Sequence, residues 1–136
     1  GPGSHGSTYG GSPLACATAL ATVGVILRDD LAGRAKALGS LISADVSTWG
    51  IPALRDIRAF GCMIGLQLDI SVIEGNEDFS ASGKAASIWV GQLLMDAGLL
   101  VIPAGLDVVR LLPPMNASDA EANEALEILK RVLGSI

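Results

Sequence analysis

Apolar positions along this chain change their period several times, and each change marks an element. From Pro13 to about Leu27 the apolar residues, among them Leu14, Cys16, Leu20, Val23, Ile26 and Leu27, lie around the whole circumference of a helix. Ser12 stands at its N-cap and Pro13 at the first helical position, where a missing N–H costs nothing. A helix apolar on every side is expected to be buried on every side. This one is therefore predicted to lie between the rest of the chain and polypeptide outside it.

A second helix is predicted from Leu31 to Thr48, with Leu31, Ala35, Leu38, Ile42, Val46 and Trp49 on its inner face and Arg34, Lys36, Ser40 and Ser43 in water. Gly50-Ile51-Pro52 ends it. The period then falls to two between Leu54 and Ile70: Cys62, Ile64, Leu66, Leu68 and Ile70 point one way, Met63, Gly65, Gln67 and Asp69 the other, with Gly61 at the turn. That alternation predicts a β-hairpin with one buried face. The polar stretch Ser71 to Ser82 is expected to be a mobile loop. A helix from Gly83 to Ala97 and two short strands, Leu99 to Ile102 and Val108 to Leu112, come next, and Pro113-Pro114 closes the second strand. The last helix opens with the capping box Ser118-x-x-Glu121 and buries Ala122, Ala125, Leu126, Leu129, Val132 and Leu133. The order predicts an α+β two-layer fold, with helices packed on one mainly antiparallel sheet.

Composition narrows the picture. With 136 residues the chain is one ordinary domain, and 50% hydrophobic residues against 17% charged exclude intrinsic disorder. A net charge of −5 with scattered basic residues argues against nucleic-acid and membrane-surface partners. The uncharged stretch from His5 to Leu27 is too rich in Ser, Thr and Gly to be a good membrane span. Cys16 and Cys62 lack metal-ligand spacing and form no disulfide framework, which fits a reducing cytoplasm. Gly1-Pro2-Gly3-Ser4 resembles the scar of a cleaved expression tag and is set apart from the fold.

Little here supports catalysis by the chain alone. His5 is the sole histidine, so a nucleophile–histidine pair would rest on a residue beside the terminus. Lys36 lies on a solvated helix face and Lys84 beside a polar loop, so neither has the desolvated pocket of a nucleophilic lysine. Asp29-Asp30 and Glu74, Glu77 and Asp78 read as solvated turns without metal-ligand spacing. Two segments stand out. Gly6 to Pro13 sets the hydroxyls of Ser7 and Thr8 among glycines just before a helix N-terminus, where an anion such as phosphate is favoured; the plainer reading is a glycine-rich loop with a serine cap. In Val108-Val109-Arg110-Leu111-Leu112-Pro113-Pro114 one arginine interrupts an apolar strand, its fork suited to bidentate capture of a substrate carboxylate; the plainer reading is a side chain snorkelling to solvent or a structural salt bridge.

These segments carry a resemblance. His5-Gly6-Ser7-Thr8-Tyr9-Gly10-Gly11-Ser12-Pro13-Leu14-Ala15-Cys16 resembles the H-G-S-T-[FY]-G-G-N-P-L-A-C signature of class III pyridoxal-phosphate aminotransferases of the ornithine and acetylornithine type. Ile57-Arg58 through Gly61-Cys62-Met63-Ile64-Gly65-Leu66 is similar to that family's V-R-G-x-G-L-M-I-G-I hairpin. Ala97 to Gly105 and Val108 to Pro114 resemble its A-G-L-L-x-x-P-A-G and R-L-L-P-P stretches, in wording most like acetylornithine aminotransferase. Departures are Ser12 for Asn, Cys62 for Leu, and Met115-Asn116-Ala117 after the double proline.

The resemblance implies the C-terminal part of a fold-type I enzyme. Residues 5–28 would be the cofactor-phosphate loop and the helix leading out of a large domain, and residues 29–136 the small domain. It implies a cytoplasmic homodimer that moves an amino group to 2-oxoglutarate in arginine biosynthesis. The donor stays open between acetylornithine, ornithine, succinylornithine and 4-aminobutyrate. By the same resemblance Thr8, with Ser7 beside it, would bind the phosphate of pyridoxal phosphate, held mainly by the neighbouring subunit, and Arg110 the substrate α-carboxylate. The family's Schiff-base lysine precedes the H-G-S-T motif, so the chain alone is expected to contain no catalytic residue, to hold no cofactor and to be inactive. The alternative is a stand-alone binding or oligomerisation module derived from that domain.

Overall fold

The computed structural model of the chain describes Gly3 and residues 5–136. The tetrapeptide set apart as a tag scar lies, Gly3 excepted, outside the described residues. The elements are α1 (Pro13–Arg28), α2 (Leu31–Val46), β1 (Leu54–Phe60), β2 (Met63–Leu68), α3 (Ile70–Ile73), α4 (Glu77–Ser82), α5 (Ala86–Asp96), β3 (Ile102–Ala104), β4 (Val108–Leu111) and α6 (Asp119–Leu133).

The four strands form one antiparallel sheet in the order β1-β2-β4-β3. Alternation along β2 and β4 sends Ile64, Leu66, Leu68, Val109 and Leu111 to the inner face, where each is buried. Against them pack Leu38, Ile42 and Val46 of α2, Val90 and Leu94 of α5, and Leu126, Leu129 and Leu133 of α6. Each fully buried leucine contributes roughly 1.5–3 kcal/mol, so this single layer of helices on one sheet face is the main source of stability. The expected α+β two-layer architecture is what the chain adopts. Gly65, Gln67, Val108 and Arg110 line the outer face, exposed or half-buried.

Helix α6 is held at its start by the anticipated capping box: the Glu121 N–H donates to Ser118 Oγ at 3.2 Å and the Ser118 N–H to Glu121 Oε2 at 2.7 Å. Its predicted buried positions are all found except Ala125, which is half-buried.

Four expectations need correction. The stretch Ser71 to Ser82 is no open loop: Asp69 caps α3, Asn76 caps α4, and Ile73 between them is fully buried. Helix α5 starts at Ala86 instead of Gly83, because Gly83, at a φ of 64°, ends α4. Leu99 to Val101 is a connection: the Leu99 N–H donates to the Leu94 carbonyl at 2.8 Å, closing α5 around Gly98, and the strand begins only at Ile102. Arg34 is not simply solvated. Its Nε and Nη2 both donate to the Ala117 carbonyl, and its Nη1 lies 2.7 Å from Asp119 Oδ1, tying α2 to the start of α6.

Helix α1 forms over the predicted span, capped by Ser12, yet buries none of its residues. Leu14, Leu20 and Leu27 are each at least three-quarters exposed. The chain exposes 8410 Å², about 1,800 Å² more than a compact monomer of its mass. No helix among the described residues is long and apolar enough to cross a membrane.

Candidate functional site

The first candidate segment is a tight turn in front of α1. The Gly10 N–H donates to Ser7 Oγ at 2.9 Å, and the Ser12 N–H to the Tyr9 carbonyl at 3.3 Å. A Cβ on Gly10 would meet Ser7 Oγ at 2.9 Å, so a side chain there would push the Ser7 hydroxyl out of its place in the turn. Gly11 adopts a φ of 80°, a conformation that favours glycine. Ser7 thus shapes the loop, while the Thr8 side chain is exposed and makes no hydrogen bond among the described residues. The loop can offer an anion the Thr8 hydroxyl and backbone N–H groups.

The second segment is β4. Arg110 pairs with Gly65 of β2 on one side and Ile102 of β3 on the other, which puts it on the outer face. Its Nε is buried without a hydrogen-bond partner, and it makes no ion pair among the described residues. A buried donor of a charged group left unsatisfied costs free energy until an acceptor arrives. Asp107, three residues earlier, is already engaged: Gln67 Nε2 donates to its Oδ2 at 3.1 Å. Arg58 Nη2 in turn donates to Gln67 Oε1 at a long 3.4 Å. The structural ion pair that Arg110 could have made is therefore absent among the described residues.

Sequence reasoning placed Gln67 on the polar side of the hairpin but assigned it and Arg58 no chemistry. Their grouping with Arg110 depends on strand register, and the only signal in the sequence is the period of two. No hydrogen bond or ion pair joins the Ser7–Thr8 loop to Arg110 among the described residues. Helix α1 instead packs on α2.

All three lysines are exposed. Lys36 lines an open cleft of 940 Å³ between α2 and the β1–β2 turn, and Lys130 stacks over Trp49 with Nζ 5.7 Å from the ring centre. None has a dry pocket. Cys62 lines the same cleft, and burial pushes its thiol pKa up, opposed by the nearby Arg34 charge. His5 is exposed, and among the described residues no group of three or more His, Cys, Asp or Glu side chains is placed to hold a metal ion.

The glycine turn before α1 and Arg110 on the outer sheet face are thus the two candidate segments of this small α+β domain. Comparison with known proteins gives the class: residues 1–133 match the aminotransferase class-III family, and the chain belongs to it. The matched stretch takes in Gly1–Ser4. The chain is 30% identical to an ornithine aminotransferase of Emericella nidulans over 99% of its own length, and 32% identical to an acetylornithine aminotransferase of Synechocystis over the same share. It spans 28% and 30% of those relatives. Among solved structures, an acetylornithine aminotransferase from Elizabethkingia anophelis matches with a TM-score of 0.80 at 25% identity, covering 100% of this chain and 32% of that one. An ornithine aminotransferase from Toxoplasma gondii matches with a TM-score of 0.78 at 29% identity, covering 100% and 30%.

Proposed function

We propose that this chain is the C-terminal portion of an aminotransferase that moves an amino group from an acetylornithine- or ornithine-type donor to 2-oxoglutarate, in arginine biosynthesis in the cytoplasm. In that reading Arg110 holds the α-carboxylate of the substrate, and Thr8, on a turn shaped by Ser7, holds the phosphate of pyridoxal phosphate. The single observation that carries it is the buried, partnerless Nε of Arg110 on the outer sheet face. A planar fork in that setting matches a carboxylate and leaves no unsatisfied donor once one is bound.

The residues present suit the cofactor only in part. The exposed Thr8 hydroxyl and the N–H groups of a glycine turn fit one side of a phosphate. The cofactor, when bound, supplies the electron sink for the amino transfer. This chain's own contribution is to grip that phosphate and to orient the substrate carboxylate. Its three exposed lysines offer no desolvated amine to join to the cofactor, so the chain alone is inactive in this reading. The exposed apolar α1 serves as a contact surface for the rest of such an enzyme or, in its absence, for a second copy.

Two measurements test this. Incubating the chain with pyridoxal phosphate, N-acetylornithine and 2-oxoglutarate is expected to yield no glutamate, and glutamate formation would overturn the assignment of inactivity. Titrating with propionate is expected to move the Arg110 Nε–Hε resonance, with no such response in Arg110→Gln. A resonance indifferent to the acid rejects the role given to Arg110.

A further inference from the structure

The open cleft of 940 Å³ between α2 and the β1–β2 hairpin lies apart from both candidate segments. Ala32, Ala35 and Gly39 line its helical wall, and Ile57, Ala59 and Phe60 its strand wall. Ile57 and Ala59 pair with the buried Leu66 and Ile64, so they lie on the inner face of the sheet, opposite to that of Arg110. Among the described residues, none of α1, of β4 or of the Ser7–Thr8 turn lines it.

Two features of the chain keep this cleft open. Its walls carry the short side chains of Ala32, Ala35 and Ala59, where larger ones would fill the gap between helix and strand. Nor can the walls collapse on one another, because α2 already meets the hairpin backbone to backbone: a Cβ on Gly39 would lie 2.9 Å from the Gly61 carbonyl carbon. The trough is therefore preformed, and Phe60 at its lip is 84% exposed. Covering such apolar surface is favourable.

The lining holds a single charge. Lys36 is exposed, forms no hydrogen bond or ion pair among the described residues, and shares the cleft with no Asp or Glu. Ser40, one helical turn further on, offers a hydroxyl that makes no hydrogen bond among the described residues, whereas Ser43 Oγ donates to the Gly39 carbonyl at 2.7 Å. Arg34 is near but engaged by the Ala117 carbonyl and Asp119. A chain of net charge −5 thus sets a free cation and a hydroxyl beside an apolar trough. From Ala32 to Ser43 the helix rises about 16 Å, enough for an extended chain of about ten carbons.

We infer that this cleft binds a medium-chain monocarboxylate, Lys36 and Ser40 holding the carboxylate and the alkyl chain lying between the small residues of α2 and Ile57 and Ala59 of β1. A lysine is a point charge without the fork that reads carboxylate geometry, so selection falls to the length of the tail. The site is separate from the role proposed for Arg110 and does not depend on it.

The chain carries its own reporter and reference, since Cys62 lines the cleft and the exposed Cys16 does not. The test labels the 136-residue chain with N-ethylmaleimide in hexanoate, octanoate or decanoate, each below its micelle concentration, and reads both thiols by mass spectrometry. Decanoate is expected to slow labelling of Cys62 severalfold and leave Cys16 unchanged, with affinity rising up to about fourfold for each added methylene. The Ile57 and Met115 methyl resonances should shift in the same titration, and propionate should protect nothing. Lys36→Gln, at an exposed helix position, should weaken decanoate about fivefold, the upper range for an exposed ion pair, and decanol should bind the unaltered chain no better than that variant binds decanoate. Labelling and methyl resonances indifferent to decanoate, affinity independent of tail length, or binding unaffected by Lys36→Gln overturns the inference. So does protection of Cys62 that needs no acid and grows with protein concentration, which makes a second copy of the chain the occupant.

Discussion

Gly39 of α2 and Gly61 of the β1–β2 turn meet backbone to backbone. A methyl group at Gly39 would overlap the Gly61 carbonyl oxygen and lie 2.9 Å from its carbon, so the helix can reach the turn only because position 39 has no side chain. Gly61 is itself held at a φ of 57°. Gly39→Ala is expected to destabilise the chain by about 1–3 kcal/mol, the usual cost of overpacking, although alanine is the better helix former. Urea unfolding checks this, with Gly24→Ala, where a Cβ meets nothing within 4 Å, as the control expected to be neutral or stabilising.

The clamp formed by Arg34 gives a second prediction. Its fork holds the Ala117 carbonyl, so Arg34→Lys, which keeps the charge but loses the fork, should cost about 1–2 kcal/mol. The same charge opposes the effect of burial on Cys62. Arg34→Ala should therefore raise the Cys62 pKa further and slow its alkylation at fixed pH. Iodoacetamide labelling read by mass spectrometry measures this, with the exposed Cys16 as the internal reference.

Acid stability depends on the start of α6. The Ser118 N–H and hydroxyl hold the Glu121 carboxyl below its ordinary value of 4.5. A carboxylate whose pKa is depressed by folding contributes stability that is present above the unfolded value and is lost as pH falls through the folded one. Glu121→Gln should flatten that acid limb below about pH 4.5 and change the slope little at neutral pH. Thermal melts across the acid range test it.

Helix α1 supplies the fourth prediction. With no residue buried, its amides should exchange faster than those of α6 in dilute solution and become protected as concentration rises. Sedimentation should show concentration-dependent association, and Leu20→Glu with Leu27→Glu should give monomers without lowering the melting temperature of the rest of the fold. Association unchanged in the double variant would place the contact elsewhere.

Legibility in the sequence followed the range of the forces involved. The capping box at Ser118 and the alternation along β2 are local and were readable directly. Ile73 was hidden because the few apolar residues of its polar stretch, Val72, Ile73 and Phe79, follow no period, yet its side chain is fully buried in the core. Leu99 to Val101 looked like a strand because they are apolar, but the end of α5 uses the Leu99 N–H. Arg110 was visible as one cation in an apolar run. Arg58 and Gly65 became its neighbours only through register, which no local pattern specifies.

One joint sets where the Ser7–Thr8 turn sits relative to the sheet. Between α1 and α2 stand only Asp29 and Asp30, and Asp30 is the one described non-glycine residue with positive φ, at 43°, while its carboxylate caps α2 through the Gly33 N–H. Helix α1 is a lever of about 24 Å, so a rotation of about 10° at that joint would carry its far end through roughly 4 Å. The aim of the loop is thereby entrusted to a pivot two residues long, and a change at Asp30 would be felt as misalignment at Thr8 long before it was felt as loss of fold.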